Sequence, residues 1–133
     1  LERMPSFFKH AQVLLVTLRD EPIFSMTIPG KMQSYLAAGI PVISMLNGEG
    51  ADVIRSSKAG IACAAGDSDG LADAVLSMSK LDGDVLSAMG LLGKQYGEDE
   101  FNRIKLMNKL ENWLKVLHLS GTTGLRGADE AHV

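Results

Sequence analysis

The sequence has one cysteine, few aromatics and no surplus of basic residues, and each shortage removes a class of protein. With Cys63 as the sole cysteine, an internal disulfide framework is excluded and a reducing compartment fits. Aromatics are 5% of the 133 residues, and 13 Lys and Arg stand against 16 Asp and Glu. The basic side chains are scattered (Arg3, Lys9, Arg19, Lys31, Arg55, Lys58), so no basic stripe favours nucleic acid. Apolar runs such as Val13–Val16 fall far short of the roughly 20 residues that span a bilayer. No secretory signal opens the sequence. What is present, 46% hydrophobic and 22% charged residues, excludes a disordered tail, a collagen-like fibre and a low-complexity linker. The composition describes a soluble, intracellular domain. Its opening, Leu1-Glu2-Arg3-Met4-Pro5, reads as the interior of a longer protein.

Hydrophobic periodicity orders the elements. Pro5 opens a short helix through Ala11. Val13 to Leu18 is a β-branched apolar run of the kind buried on both faces of a sheet. Arg19-Asp20-Glu21-Pro22 breaks it, and Ile23 to Thr27 has no period and reads as loop. Pro29 then opens a helix with Met32, Tyr35, Leu36 and Gly39 on one face, ended by Gly39 and Pro41. Pro41 to Leu46 is a second strand, Ala51 to Ser57 a short helix, and Gly60 to Ala64 a third strand. Asp67 caps a helix whose stripe is Leu71, Ala74, Val75, Met78 and Leu81. Another helix runs to about Gln95, and a last one starts near Glu98. Phe101, Ile104, Met107, Leu110, Leu114 and Leu117 give that last helix a face suited to core packing. From Ser120 the period is lost, so a domain over 1–118 and a flexible tail over 119–133 are expected.

This alternation predicts an α/β fold, a parallel sheet with right-handed crossovers and helices on both faces. Val13–Leu18 and Pro41–Met45 should be parallel neighbours joined by the Pro29–Ala38 helix. Three strands make a thin sheet, so further strands are expected before Leu1, and an uncovered apolar edge would favour self-association.

Several positions carry candidate chemistry. A helix N-terminus offers unpaired N–H groups and the positive end of a dipole, so Pro29-Gly30-Lys31, entered from Ile28, suits a phosphate. The alternative is an ordinary helix start capped by Ser25 or Thr27. Asn47-Gly48-Glu49-Gly50 follows the second strand; Glu49 and its neighbouring N–H groups face either a sugar or solvent. Gly48-x-Gly50 lacks the third glycine and the crossover length of a dinucleotide fingerprint. Asp67-Ser68-Asp69 and Asp82-Gly83-Asp84 spell the metal-gripping D-x-D, but one starts a helix and the other fills a turn. Asp20 and Glu21 stand directly after the first strand, as binding or solvated carboxylates. His10, His118 and His132 share no spacing of a metal site, and Cys63 reads as a packing residue. No cofactor is called for.

The run Pro29-Gly30-Lys31-Met32-Gln33-Ser34-Tyr35-Leu36-Ala37-Ala38-Gly39-Ile40-Pro41-Val42 resembles Pro-Ser-Lys-x-x-Glu-Tyr-x-Ala-x-Gly-x-Pro-Val of family 4 of the nucleotide-sugar glycosyltransferases. The likeness extends through Met4-Pro5, Asn47-Gly48-Glu49-Gly50, Ala59-Gly60 and Ala65-Gly66-Asp67. It implies the Rossmann-like C-terminal, donor-binding part of a GT-B enzyme, incomplete at its N-terminus. It further implies metal-independent, retaining hexosyl transfer from a UDP-sugar to a saccharide or lipid-linked acceptor. That work would belong to surface polysaccharide or glycolipid synthesis at the cytoplasmic face of a membrane. The family's ribose-binding glutamate falls at Ser34 and its companion at Met26, neither acidic. The family's phosphate-binding Arg and Lys, and its acceptor-binding domain, would precede Leu1, so the chain alone is expected to be inactive. On this alignment Ile28, Pro29, Gly30 and Lys31 meet the phosphates, while Ser34, Gly48, Glu49, Gly50 and Glu21 meet ribose or sugar; the catalytic residues are not identified. The competing readings are a non-catalytic α/β module that binds no nucleotide, and a GT-B sugar-nucleotide epimerase.

Overall fold

A computed structural model describes the backbone of residues 4–125 and the side chains of residues 6–118. The chain divides into two compact units, Leu1–Asp99 and Glu100–Val133. In the first, the order is α1 (Met4–Phe8), β1 (Leu14–Thr17), α2 (Pro22–Ser25), α3 (Gly30–Ala38), β2 (Val42–Met45), α4 (Glu49–Ser57), β3 (Gly60–Cys63), α5 (Ser68–Ser79) and α6 (Gly83–Glu100, its last residue in the second unit). The second unit contains α7 (Arg103–Leu125).

The three strands form one sheet in the order β1-β2-β3, parallel throughout. Leu15, Ile43 and Ile61 stand in register, as do Val16, Ser44 and Ala62. This is the parallel β1-α3-β2 unit predicted from the apolar run and the helix spacing. Right-handed crossovers in a constant direction put α3 and α4 on one face of the sheet. Pleat parity agrees: Val42 and Ser44 are fully buried, together with Met32 and Leu36 of α3 and Ala51 and Ile54 of α4. The opposite side of β2 presents Ile43, which packs with Ala74 and Met78 of α5 and with Leu86 and Met89 of α6. Helices therefore cover both faces. Each fully buried side chain such as Leu36 or Ile54 contributes about 1.5–3 kcal/mol. The Phe8 ring meets Tyr35 edge-on at 5.8 Å and ties α1 to α3. Gly39 ends α3 in the left-handed conformation, φ 70°, with its N–H on the Leu36 carbonyl.

The first strand has no second neighbour among the described residues, and Leu15 remains half exposed. An open hollow of about 620 Å³ lies beside it, lined by Val13, Leu15, Ile43, Val75 and Leu86 among others.

Several features differ from the sequence reading: Gly83 and Asp84, expected in a turn, open α6, and Val75 and Leu81 of the expected α5 stripe are exposed. Of the stretch Ile23 to Thr27, expected as loop, residues 23–25 form with Pro22 the single turn α2, because Pro22 occupies its first turn and the Glu21 carbonyl accepts the Phe24 and Ser25 N–H groups. Ser25 and Thr27 do not cap α3: Ser25 Oγ donates to the Pro22 carbonyl and Thr27 Oγ1 to those of Ile23 and Phe24. The helix break falls at residues 101–102 and not between Gln95 and Glu98. Gln95 bonds Asp99 one turn on, and Asn102 Oδ1 accepts the Ile104 and Lys105 N–H groups as the cap of α7. Finally, the α7 stripe is not core: Ile104, Met107, Leu110, Leu114 and Leu117 are all exposed. The helix itself continues to Leu125, into the segment where the period is lost, and 126–133 of the expected tail lie outside the described residues. His132 lies there too.

Candidate functional site

Parallel strands deliver their carboxyl ends to one edge, where open α/β sheets bind ligands. Three loops meet there, after β1, β2 and β3. Asn47 joins them. Its Nδ2 donates to Asp20 Oδ1 at 2.8 Å, and its Oδ1 accepts the Ala65 N–H at 3.1 Å. One half-buried amide thus ties the β1 loop to the β3 loop. From the sequence Asn47 reads only as part of a turn; an asparagine placed directly after a strand is the available signal.

The α2 segment folds against the same edge. Gly48 adopts φ 70°, ψ −145°, and a Cβ there would overlap the Ser25 carbonyl oxygen. Only glycine fits. Gly50 is buried in the first turn of α4, where a Cβ would lie 2.8 Å from Leu46 Cδ1 and 3.3 Å from Pro29 Cδ. Pro29 precedes α3, so the N-terminal turns of α3 and α4 sit side by side.

Neither helix has a side-chain cap. In α3 the Met32 N–H bonds the Pro29 carbonyl at 2.9 Å, which leaves the Gly30 and Lys31 N–H groups as the orphans of the first turn. Nothing lies within 4 Å of a Cβ built on Gly30, so the approach is open. The first turn of α3 contains no acidic residue and has Lys31 exposed on it, whereas that of α4 contains Glu49 and Asp52. Asp52 also pairs with Arg55 at 3.0 Å.

The remaining predicted residues distribute as follows. Ile28 and Pro29 are half-buried at the α3 entry, while Glu21 and Glu49 are exposed. The Glu21 side chain does not cap α2. Ser34 is exposed one turn into α3, where its Oγ donates back to the Gly30 carbonyl at 3.4 Å. A cleft of about 400 Å³ at this edge is lined by Thr17, Leu18, Arg19, Asp20, Met45 and Gly66. The larger hollow lies against α5 and α6 and contains none of the predicted site residues.

Cys63, at the end of β3, donates through Sγ to the Ser44 carbonyl at 3.3 Å. Burial raises its pKa, and the Asp67 carboxylate adds to the shift. Asp67 accepts the Gly70 N–H at 2.8 Å as the cap of α5, the role its spacing predicted. Among the described residues, no three His, Cys, Asp or Glu side chains gather as a metal site. The edge therefore offers binding groups: orphan N–H donors, one lysine on α3 and a set of carboxylates.

The model of the family described as Glycosyl transferases group 1 matches residues 1–80. The chain belongs to that family. The match runs from α1 through the end of α5 and so includes the whole sheet and both helix N-termini. Searches of curated proteins and of solved structures gave no match. A group 1 glycosyltransferase domain works on a sugar donor and an acceptor.

Proposed function

We propose that this chain supplies part of the donor site of a GT-B glycosyltransferase of family 4, with UDP-sugar as donor. The diphosphate sits on the N-terminal turn of α3, against the Gly30 and Lys31 N–H groups and the Lys31 ammonium. Ile28 and Pro29 set the approach of that turn. Ser34 faces the ribose, and Glu21, Gly48, Glu49 and Gly50 border the sugar. The acceptor binds to a domain outside this chain. Transfer is retaining and metal-independent, and serves polysaccharide or glycolipid synthesis at the cytoplasmic face of a membrane. One observation carries the reading: the family match spans an α3 N-terminus that is uncapped, open and free of acidic residues.

Isothermal titration with UDP tests it. Lys31→Ala should weaken binding by an amount that shrinks as salt rises, since an exposed charge is screened. Ser34→Glu should tighten nucleoside binding, because a hydrogen bond to an ionised acceptor is roughly twice as strong as a neutral one. If both variants bind UDP as the parent does, the assignment fails.

Ser34 in place of an acidic residue, with its hydroxyl turned back onto Gly30, favours a second reading: a non-catalytic module that binds no nucleotide. The same titration separates the two.

A further inference from the structure

We propose that Arg19 binds the carboxylate of an acidic sugar, so that the donor is a nucleotide-linked uronic acid. The inference rests on the donor-site reading above and names the sugar class of that same site. Every residue it uses lies within the Leu1–Asp99 unit. The cleft of about 400 Å³ at the carboxyl edge is lined by Arg19 and Asp20 of the β1 loop and by Gly66 of the β3 loop. Its size falls within the roughly 300–1,000 Å³ of small-molecule sites. Asn47 fixes both loops, through Asp20 on one side and the Ala65 N–H next to Gly66 on the other. The same amide draws Asp20 Oδ1 to itself. Among the described residues, no hydrogen bond or ion pair engages the exposed Arg19 guanidinium.

The side of the sheet decides which anion Arg19 meets. Successive side chains of a strand alternate between its faces. Thr17 and Met45 stand in register two residues beyond Leu15 and Ile43, so they share the face on which Ile43 packs against α5. The N-terminus of α3, with Lys31, belongs to the opposite face, where Met32 and Leu36 are buried. A donor laid across the edge therefore leaves its diphosphate on α3 and turns its sugar toward the cleft. There Leu18 and Met45 offer apolar surface to the C–H groups of a pyranose. The Thr17 hydroxyl and Asp20 Oδ2 enter no hydrogen bond among the described residues and are left for sugar hydroxyls. A neutral sugar would use these groups and leave the guanidinium idle. A guanidinium grips a carboxylate through two parallel N–H···O bonds, so a uronic acid completes the set.

Isothermal titration of the full chain with UDP, UDP-glucose and UDP-glucuronic acid tests this. UDP-glucuronic acid should bind the parent about tenfold more tightly than UDP-glucose, the gain of one charge-assisted pair. Arg19→Gln should lower affinity for UDP-glucuronic acid about tenfold and leave UDP and UDP-glucose unchanged, with circular dichroism as in the parent. Arg19→Lys should recover only part of the loss, because an ammonium lacks the planar fork. Lys31→Ala, by contrast, should weaken all three ligands alike. Equal affinity of the parent for the two sugar nucleotides overturns the proposal. So does an Arg19→Gln loss as large for UDP as for UDP-glucuronic acid, which would assign Arg19 to the diphosphate. If Lys31→Ala changes nothing while the Arg19-dependent preference holds, the phosphate assignment on α3 fails and Arg19 keeps its role. Binding of none of the three overturns both.

Discussion

The two helices that open at the carboxyl edge, α3 and α4, are each nine residues long, start side by side and lack side-chain caps. They differ in what their first turns supply. In α4, Glu49 and Asp52 place carboxylates near its dipole end, so the helix answers its own charge. In α3, Pro29-Gly30-Lys31 supplies no anion and leaves the Gly30 and Lys31 N–H groups without a partner in the helix. The same local geometry therefore yields one self-satisfied terminus and one that an external anion can complete. The lesson is that a helix start becomes a binding candidate through what its first turn leaves out.

Glycine substitutions should split the two termini most widely. Gly48→Ala forces a side chain into a glycine-only conformation and into the Ser25 carbonyl, so it should destabilise the chain by about 2–4 kcal/mol. Gly30→Ala meets open space and should change stability by less than about 1 kcal/mol in denaturant melts. Equal effects would dissolve the contrast. Next in size is Asn47→Ala, which removes both links between the β1 and β3 loops and should cost about 1–2 kcal/mol. Chemical shifts at Asp20 and Ala65 should move with it.

A smaller effect sharpens the comparison from the other side. Glu49→Gln removes one carboxylate from the first turn of α4 and should lower stability by about 0.3–0.5 kcal/mol, less at high salt. It should also extend the response to UDP to the α4 amides, which the parent charge discourages. The least effect comes from Cys63. Its thiol is raised chiefly by burial, so the folded state resists ionisation while the unfolded chain ionises first. Stability is then full below the ordinary thiol pKa and falls as pH climbs through the raised value. Cys63→Ala should flatten that alkaline slope.

Much of this was legible in the sequence because it is local. The Val13–Leu18 run, the i, i+3, i+4 spacing of Met32, Tyr35 and Leu36, and the Gly39-Pro41 stop together give the β1-α3-β2 unit. Asp67 declares itself as a cap three residues before Gly70. The rest is either too short for periodicity or depends on distance. A single turn such as α2 contains no period, and its hydroxyls were free to serve either neighbouring helix. Asn47 acts across 27 residues to Asp20 and 18 to Ala65, a pairing that only the folded sheet brings together. The α7 stripe has the pattern of a core helix, and pattern alone does not say whether a partner covers it.

In the proposed donor site α3, and not its neighbour α4, receives the phosphates. Amide chemical shifts followed during a UDP titration test it most directly. Gly30 and Lys31 should move first and furthest, Met32 less because its N–H already bonds Pro29, and Glu49 and Gly50 should stay nearly still. A response centred on α4, or one absent from residues 28–34 while the fold is intact, would contradict it.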